Sequence, residues 1–351
     1  MRMLPLHKMT QDEFANQRRQ MAPIGNRNAV ASGQDRPRWT NVLPAPVRSL
    51  GRPLLHKWRY FYGLSREKLR EKLAAPSVTT YLMGGCGNQI FQYATGLALA
   101  RRLGVDLKLD VSWYETATPN TPRMYSLGLF KGVHAQLVDR LFGQIIHEEE
   151  FSYKPELFEN ARRKCSLVGY WQCEKYFFGL RDELRERLLP RDPLPARSIA
   201  TERAILDAGE RSVFVHVRRT DYVGNPHHVL LPMDYYREAA ALIAAKVPDP
   251  VFFIFSDEPE WCEANFKLPY PTTIVGNLDR TVEHHLGRED ADLYLMRLCS
   301  HAIVANSSYS WWGAWLGADI KGGIVIAPKS WFGPAFKEDP RDIVPQRWIR
   351  L

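Results

Sequence analysis

The sequence predicts an α/β protein of two parallel-sheet domains behind a basic, mostly disordered amino-terminal arm. Three observations predict it. Residues 212–217, 251–255, 272–275, 302–305 and 323–327 are short apolar runs separated by helical stretches, the alternation that builds a parallel sheet. Residues 77–111 read as strand, helix and strand, a βαβ unit. Between them, residues 190–195 form a Pro- and Arg-rich break, and 351 residues that are 45% apolar suffice for two ordinary cores.

The arm comes first. Residues 1–80 hold 15 Lys or Arg and 5 Asp or Glu, whereas the rest of the chain holds 32 and 34, so the formal charge of +8 belongs to the arm. Up to Pro53 it is rich in Arg, Pro, Asn and Gln with little periodicity, and disorder is expected there. In residues 55–73, Trp58, Tyr60, Phe61 and Tyr62 lie among basic residues. That stretch suits either peripheral contact with an anionic membrane or a linker helix packed on the body. No window approaches the ~18 consecutive apolar residues of a spanning helix, and no cleaved signal peptide is read. A cytoplasmic protein, peripheral at most to the inner face of the membrane, is expected, with no nucleic-acid partner.

In the βαβ unit, residues 77–83 form the first strand, 90–103 a helix closed by Gly104, and Val105, Leu107, Leu109 and Val111 alternate as the second strand. The loop Gly84-Gly85-Cys86-Gly87-Asn88-Gln89 is similar at first to a dinucleotide-binding loop, with Asp110 placed for a ribose. Ile90, however, replaces the third glycine and would crowd helix against strand, which ranks a sugar site above an NAD site. The polar Asn88-Gln89 pair favours a binding loop over a mere tight turn. Residues 130–189 are expected to hold helical stretches and aromatic clusters, notably Tyr170-Trp171 and Tyr176-Phe177-Phe178, which suit sugar stacking or a core equally.

Residues 213–222 read Val-Phe-Val-His-Val-Arg-Arg-Thr-Asp-Tyr, an apolar strand ending in charge. Alternate strand residues share a face, so His216 and Arg218 point one way and Arg219 the other. In open α/β sheets ligands bind beyond the carboxyl ends of strands, where Arg218, Arg219 and Asp221 fall. A planar arginine fork suits phosphate. An Arg219–Asp221 ion pair is the structural alternative, and Asp221 is also placed to orient an arginine. Residues 251–262 repeat the plan: a buried strand, then Ser256 or Asp257 as a contact or as the cap of a helix near Pro259. Residues 305–315, Ala-Asn-Ser-Ser-Tyr-Ser-Trp-Trp-Gly-Ala-Trp, open a helix after a short strand. Free N–H groups and the hydroxyls of Ser307, Ser308 and Ser310 make an anion site there; the alternative is that Asn306 or Ser308 only caps a core helix.

Five cysteines show neither paired metal spacing nor the density of a disulfide scaffold, and are expected reduced. The pairs His227-His228 and His284-His285 diverge as adjacent residues must, so neither is a metal clamp. Asp290-Ala291-Asp292 begins a helix and reads as its cap.

Together, HVRRTDY at 216–222, SDEPEWC at 256–262, NSSYSWWGAWL at 306–316 and GGCGNQIFQY at 84–93 resemble the motifs of the α-1,2-fucosyltransferases of glycosyltransferase family 11. They stand in the family's order and span about residues 78–350. The resemblance implies the GT-B arrangement of two facing Rossmann-like domains: a 1–76 extension, an acceptor-side domain at 77–205 and a GDP-fucose-binding domain at 206–351. It implies an inverting transfer of L-fucose from GDP-fucose, without metal, to a hydroxyl, typically O2 of a terminal β-galactoside. The acceptor would be a galactose-containing glycan or lipid-linked oligosaccharide. By the same resemblance Arg218, Asn88 and Asp221 form the catalytic set, with Arg218 the pyrophosphate clamp and Asn88 reaching from the other domain. His216, Arg218, Arg219, Asp257, Ser307, Ser308, Gly87 and Asn88 would bind the donor. The general base is not identified; Glu115, Asp221 and His227 are candidates. Alternatives are a fucosyltransferase of the α-1,6 type and a non-catalytic nucleotide- or glycan-binding protein. Cys86 stands where the family usually has an aliphatic residue, and Thr220 where glycine is common.

Overall fold

A computed structural model describes residues 75–116, 123–275, 288–337 and 339–351. The expectations for residues 1–74, including the basic aromatic stretch around Trp58, lie outside the described residues, as does the His284-His285 pair.

Residues 77–351 form one compact unit that carries two parallel sheets. The first holds β1 (Ser77–Tyr81), β2 (Asp106–Asp110), β3 (Gln136–Val138), β4 (Gln144–His147) and β5 (Cys165–Val168) in the order β3-β2-β1-β5-β4. The second holds β6 (Ser212–Val217), β7 (Val251–Ser256), β8 (Thr272–Val275), β9 (His301–Ile303), β10 (Val325–Ala327) and β11 (Ile349–Arg350) in the order β11-β10-β9-β6-β7-β8. Every strand pair is parallel. The second order is that of a doubly wound Rossmann sheet, with its switch point between β6 and β9. The two-sheet GT-B arrangement is therefore what the chain adopts.

Six helices matter for the cleft: α1 (Cys86–Leu103), α2 (Ala196–Ala208), α3 (Met233–Ala244), α4 (Pro259–Asn265), α5 (Glu289–Leu298) and α6 (Ser308–Leu316). α1 ends where expected, because Gly104 takes the left-handed φ of +62° and its N–H closes the last turn on Ala100 and Arg101. The helical stretches expected at 130–189 are short, Glu156–Glu159 and Arg181–Arg187, and the strands β3, β4 and β5 also lie there. Strands of three or four residues, one carrying exposed Leu137, are too short to display a period of two.

The halves share a core. Trp311, Trp312 and Trp315 of α6 are fully buried, and Phe91 of α1 lies 4.5 Å from the Trp311 ring and 4.9 Å from Trp312. Arg347 adds a polar tie, donating to both oxygens of Glu174 at 2.6 and 2.7 Å and to Asp319 at 2.7 Å.

Candidate functional site

Segments that follow the carboxyl ends of β1, β4, β5, β6, β7, β9 and β10 line one cleft of about 680 Å³. This is where open α/β sheets place ligands.

Arg218 leaves β6 into this cleft. Its Nε and Nη2 donate to Asp221 Oδ1 at 2.8 and 2.7 Å, and its Nη1 lies 3.2 Å from Asp257 Oδ2. Burial works against the guanidinium, yet Asp257 and Asp221 outweigh it and hold Arg218 above its ordinary range. Asp257 also accepts from the N–H groups of Arg219 and Thr220 at 3.0 and 3.1 Å, and from the Thr220 hydroxyl. Burial pushes its pKa up, but Arg218 and these donors win and lower it. Asp257 therefore does not cap α4; it fixes the loop that aims Arg218. Thr220, where glycine was expected, is part of that fixation.

Asp221 lines the cleft and also accepts from Arg123 Nη2 at 2.7 Å. Arg219 does not join the site. It turns to the other face, donates to Glu258 at 2.9 Å and lies 3.7 Å over the Trp261 ring, so the expected Arg219–Asp221 pair is absent and donor contact by Arg219 has no geometric basis. His216 is buried at the cleft floor with Nδ1 unpartnered. Burial, helped by Arg218 and opposed by Asp257, drives its pKa below the ordinary range, so the ring is neutral.

α6 starts at the switch point and lines the same cleft as Arg218. Ser307 is its N-cap and accepts from the Tyr309 N–H at 3.4 Å, while Ser308 opens the helix; both line the cleft. Capping and cleft lining thus coexist. Ser310 is corrected: it is fully buried and donates back to the Ala305 and Ser307 carbonyls. Asn306 braces the loop by donating to Val229 and Trp331 carbonyls at 3.1 and 3.0 Å.

The glycine loop reaches α6 from the other half. A Cβ on Gly87 would sit 2.5 Å from the Ser308 carbonyl carbon and the Tyr309 nitrogen, so only glycine permits this approach, and Trp312 Nε1 donates to the Gly87 carbonyl at 3.1 Å. Asn88 lines the cleft and accepts from Gln172 Nε2 at 2.8 Å. Gln89 is not a ligand residue. It is fully buried and spends its amide on Gly84, Met124 and Ser126 backbone.

Sequence reasoning missed several lining residues. Glu148, just after β4, accepts from the N–H groups of Tyr170 and Trp171 after β5 at 2.6 and 2.8 Å; Trp171 has a φ of +57°, and Tyr170 and Gln172 line the cleft. Phe151, Tyr170, Phe332 and Phe336 form an aromatic wall, with Phe332 and Phe336 stacked at 3.9 Å. No motif announced it, because its members come from distant loops. Asp290 and Asp292 do not cap α5: Asp290 pairs with Arg288 at 2.9 Å, whereas Asp292 and Glu289 line the cleft. The acidic first turn was the available signal. His227 and His228 line the cleft and His228 stacks on Tyr222 at 4.2 Å, while Glu115 is exposed and outside it. All five cysteines are free and buried. Among the described residues, no three His, Cys, Asp or Glu side chains are grouped to hold a metal, and no helix is long and apolar enough to cross a membrane.

A fixed guanidinium and a helix start lining one cleft have the chemistry to hold a diphosphate, and aromatic rings in the same cleft suit the apolar face of a sugar. The comparisons agree. The sequence profile of Glycosyl transferase family 11 matches residues 50–351. An alpha-1,2-colitosyltransferase of Escherichia coli is 30% identical over 295 residues, covering 78% of this chain and 98% of that protein. The galactoside 2-alpha-L-fucosyltransferase Sec1 of Mus musculus is 25% identical over 275 residues, covering 74% of this chain and 70% of that protein. The solved fucosyltransferase NodZ from Bradyrhizobium is 15% identical, with a TM-score of 0.37 over 70% of this chain and 94% of that one, a likeness too loose to add weight. With four motifs brought to one cleft and the profile spanning most of its length, this chain belongs to glycosyltransferase family 11 and is a glycosyltransferase.

Proposed function

We propose that the protein transfers L-fucose from GDP-fucose to O2 of a terminal β-galactoside, with inversion and without a metal. The observation that carries this reading is Arg218, held between Asp221 and Asp257 in the cleft that the start of α6 also lines. When the bond from the anomeric carbon to the β-phosphate breaks, its electron pair goes to GDP. Preorganised donors must meet that charge. Arg218, the Ser307 and Ser308 hydroxyls and the first N–H groups of α6 are those donors. Asn88 and Gly87 close the site from the other half, and His216 and Asp257 position Arg218.

In this reading residues 206–351 hold the donor and 77–205 the acceptor, a galactose-containing glycan or lipid-linked oligosaccharide. The basic arm would bring the enzyme to an anionic membrane; binding to vesicles with anionic lipid, lost on removing residues 1–74, tests that. The colitosyltransferase relative favours a second donor, a colitosyl nucleotide. Incubation with GDP-fucose and a terminal β-galactoside in excess EDTA, with the product linkage read by NMR, tests the main reading. An α-1,2-fucosylated product supports it; another linkage or no transfer contradicts it.

A further inference from the structure

The site described so far stabilises the leaving group but assigns no group to the acceptor proton. Asp221 is committed to Arg218 and Arg123, and Asp257 to Arg218 and Thr220. Glu115 lies outside the cleft, and His216 is sealed at its floor.

Glu289 is different. It opens α5, lines the cleft and is partly exposed there, and it forms no ion pair with a described residue. Its Oε2 has no hydrogen-bond partner. The Cys86 thiol of the glycine loop and the Ser126 hydroxyl lie close enough to act on the carboxyl group, and the Tyr309 hydroxyl of α6 donates to its backbone carbonyl. Glu289 is thereby fixed between the glycine loop of one half and the helix start of the other, near Arg218.

We propose that Glu289 is the general base of the transfer, a reading that rests on the proposed function. As an acceptor oxygen forms its bond to the anomeric carbon, the O–H electron pair stays on that oxygen and the proton passes to the Glu289 carboxylate. The carbon–phosphate bond breaks with its pair on GDP. Glu289 then returns the proton to water.

The surroundings make the Glu289 carboxylate a stronger base than a free one. Burial raises the Glu289 pKa, against Ser126, Arg123 and Arg218, which lower it; Asp290 raises it further. Cys86, Tyr114 and Tyr309 also face it, and burial keeps all three protonated and neutral. Asp292, one turn along α5, is the remaining acid.

The test uses the full chain with GDP-fucose and a terminal β-galactoside. Glu289→Gln should lose about 10²- to 10⁴-fold in kcat, keep GDP affinity within about twofold, and lose the acidic limb of the pH–rate profile. Azide, a nucleophile that needs no deprotonation, should restore turnover as inverted fucosyl azide. Glu289→Asp should keep an acidic limb at reduced kcat, a result that stands even if the glutamine variant folds poorly. Glu289→Gln with kcat near wild type, a loss confined to donor affinity, or transfer of the acidic limb to His227→Gln overturns the assignment. A wild type inert to GDP-fucose overturns the donor reading with it, whereas an active wild type matched by Glu289→Gln overturns the base alone.

Discussion

Arg218 concentrates the argument at the residue scale. Under the proposed function, truncating it to alanine removes the charge that would meet the leaving phosphate, and transfer should fall about 10²- to 10³-fold or more with the fold intact by circular dichroism. The same change strips Asp257 of its main partner. The Asp257 pKa is held low in the folded protein, so its contribution to stability is present above the ordinary carboxylate pKa and is lost as pH falls through the folded value. Arg218→Ala should therefore melt lower at pH 7, and the gap to wild type should narrow below about pH 4, as scanning calorimetry can read. His216 has the same sign. Its depressed pKa favours the neutral ring, so stability from this group is full above the ordinary histidine range and declines as pH falls through it. Gly87→Ala drives a Cβ into the backbone of α6 and should cost about 1–3 kcal/mol in denaturant unfolding. The sequence placed Arg218, Asn88 and both serines at strand and helix ends, and the structure brings them to one cleft. Arg219 and the Gln89 side chain turn from the cleft to Glu258 and to the Gly84, Met124 and Ser126 backbone, contacts from separate segments that no local pattern displays.

At the scale of elements, α6 serves two ends. Its start faces the cleft and its tryptophans form the shared core. Capping and anion binding were read as rivals, but they concern different atoms: Ser307 satisfies one N–H while the rest of the first turn remains open. Trp312→Phe should keep most of the packing yet remove the donor to the Gly87 carbonyl, at a cost of about 1–3 kcal/mol, whereas Trp312→Ala should cost about 3–5 kcal/mol; chemical denaturation separates them. The long, apolar strands β6 and β7 were legible, as was α1 with its closing glycine. β3, β4 and β5 were not, because their brevity hides alternation and their partners, β2 for β3, β1 for β5 and β5 for β4, lie far off in sequence.

At the scale of the whole molecule, two parallel sheets behave as one body because the tryptophan core and the Arg347 bridge join them. Residues 77–351 should unfold in one transition, with tryptophan fluorescence and far-ultraviolet dichroism coinciding; two separated transitions would contradict the shared core. The division into two sheets was legible from the Pro-rich break and the rhythm of strands. The cleft wall of Phe151, Tyr170, Phe332 and Phe336 was not, since it exists only once both sheets are in place. The central claim is that this cleft holds a guanosine-diphosphate sugar through Arg218. Calorimetric titration of the purified protein with GDP-fucose in excess EDTA, with UDP-galactose as control, tests it most directly. Selective binding of GDP-fucose that disappears in Arg218→Ala is the predicted result; equal binding of both nucleotides, or binding unchanged in Arg218→Ala, would contradict it.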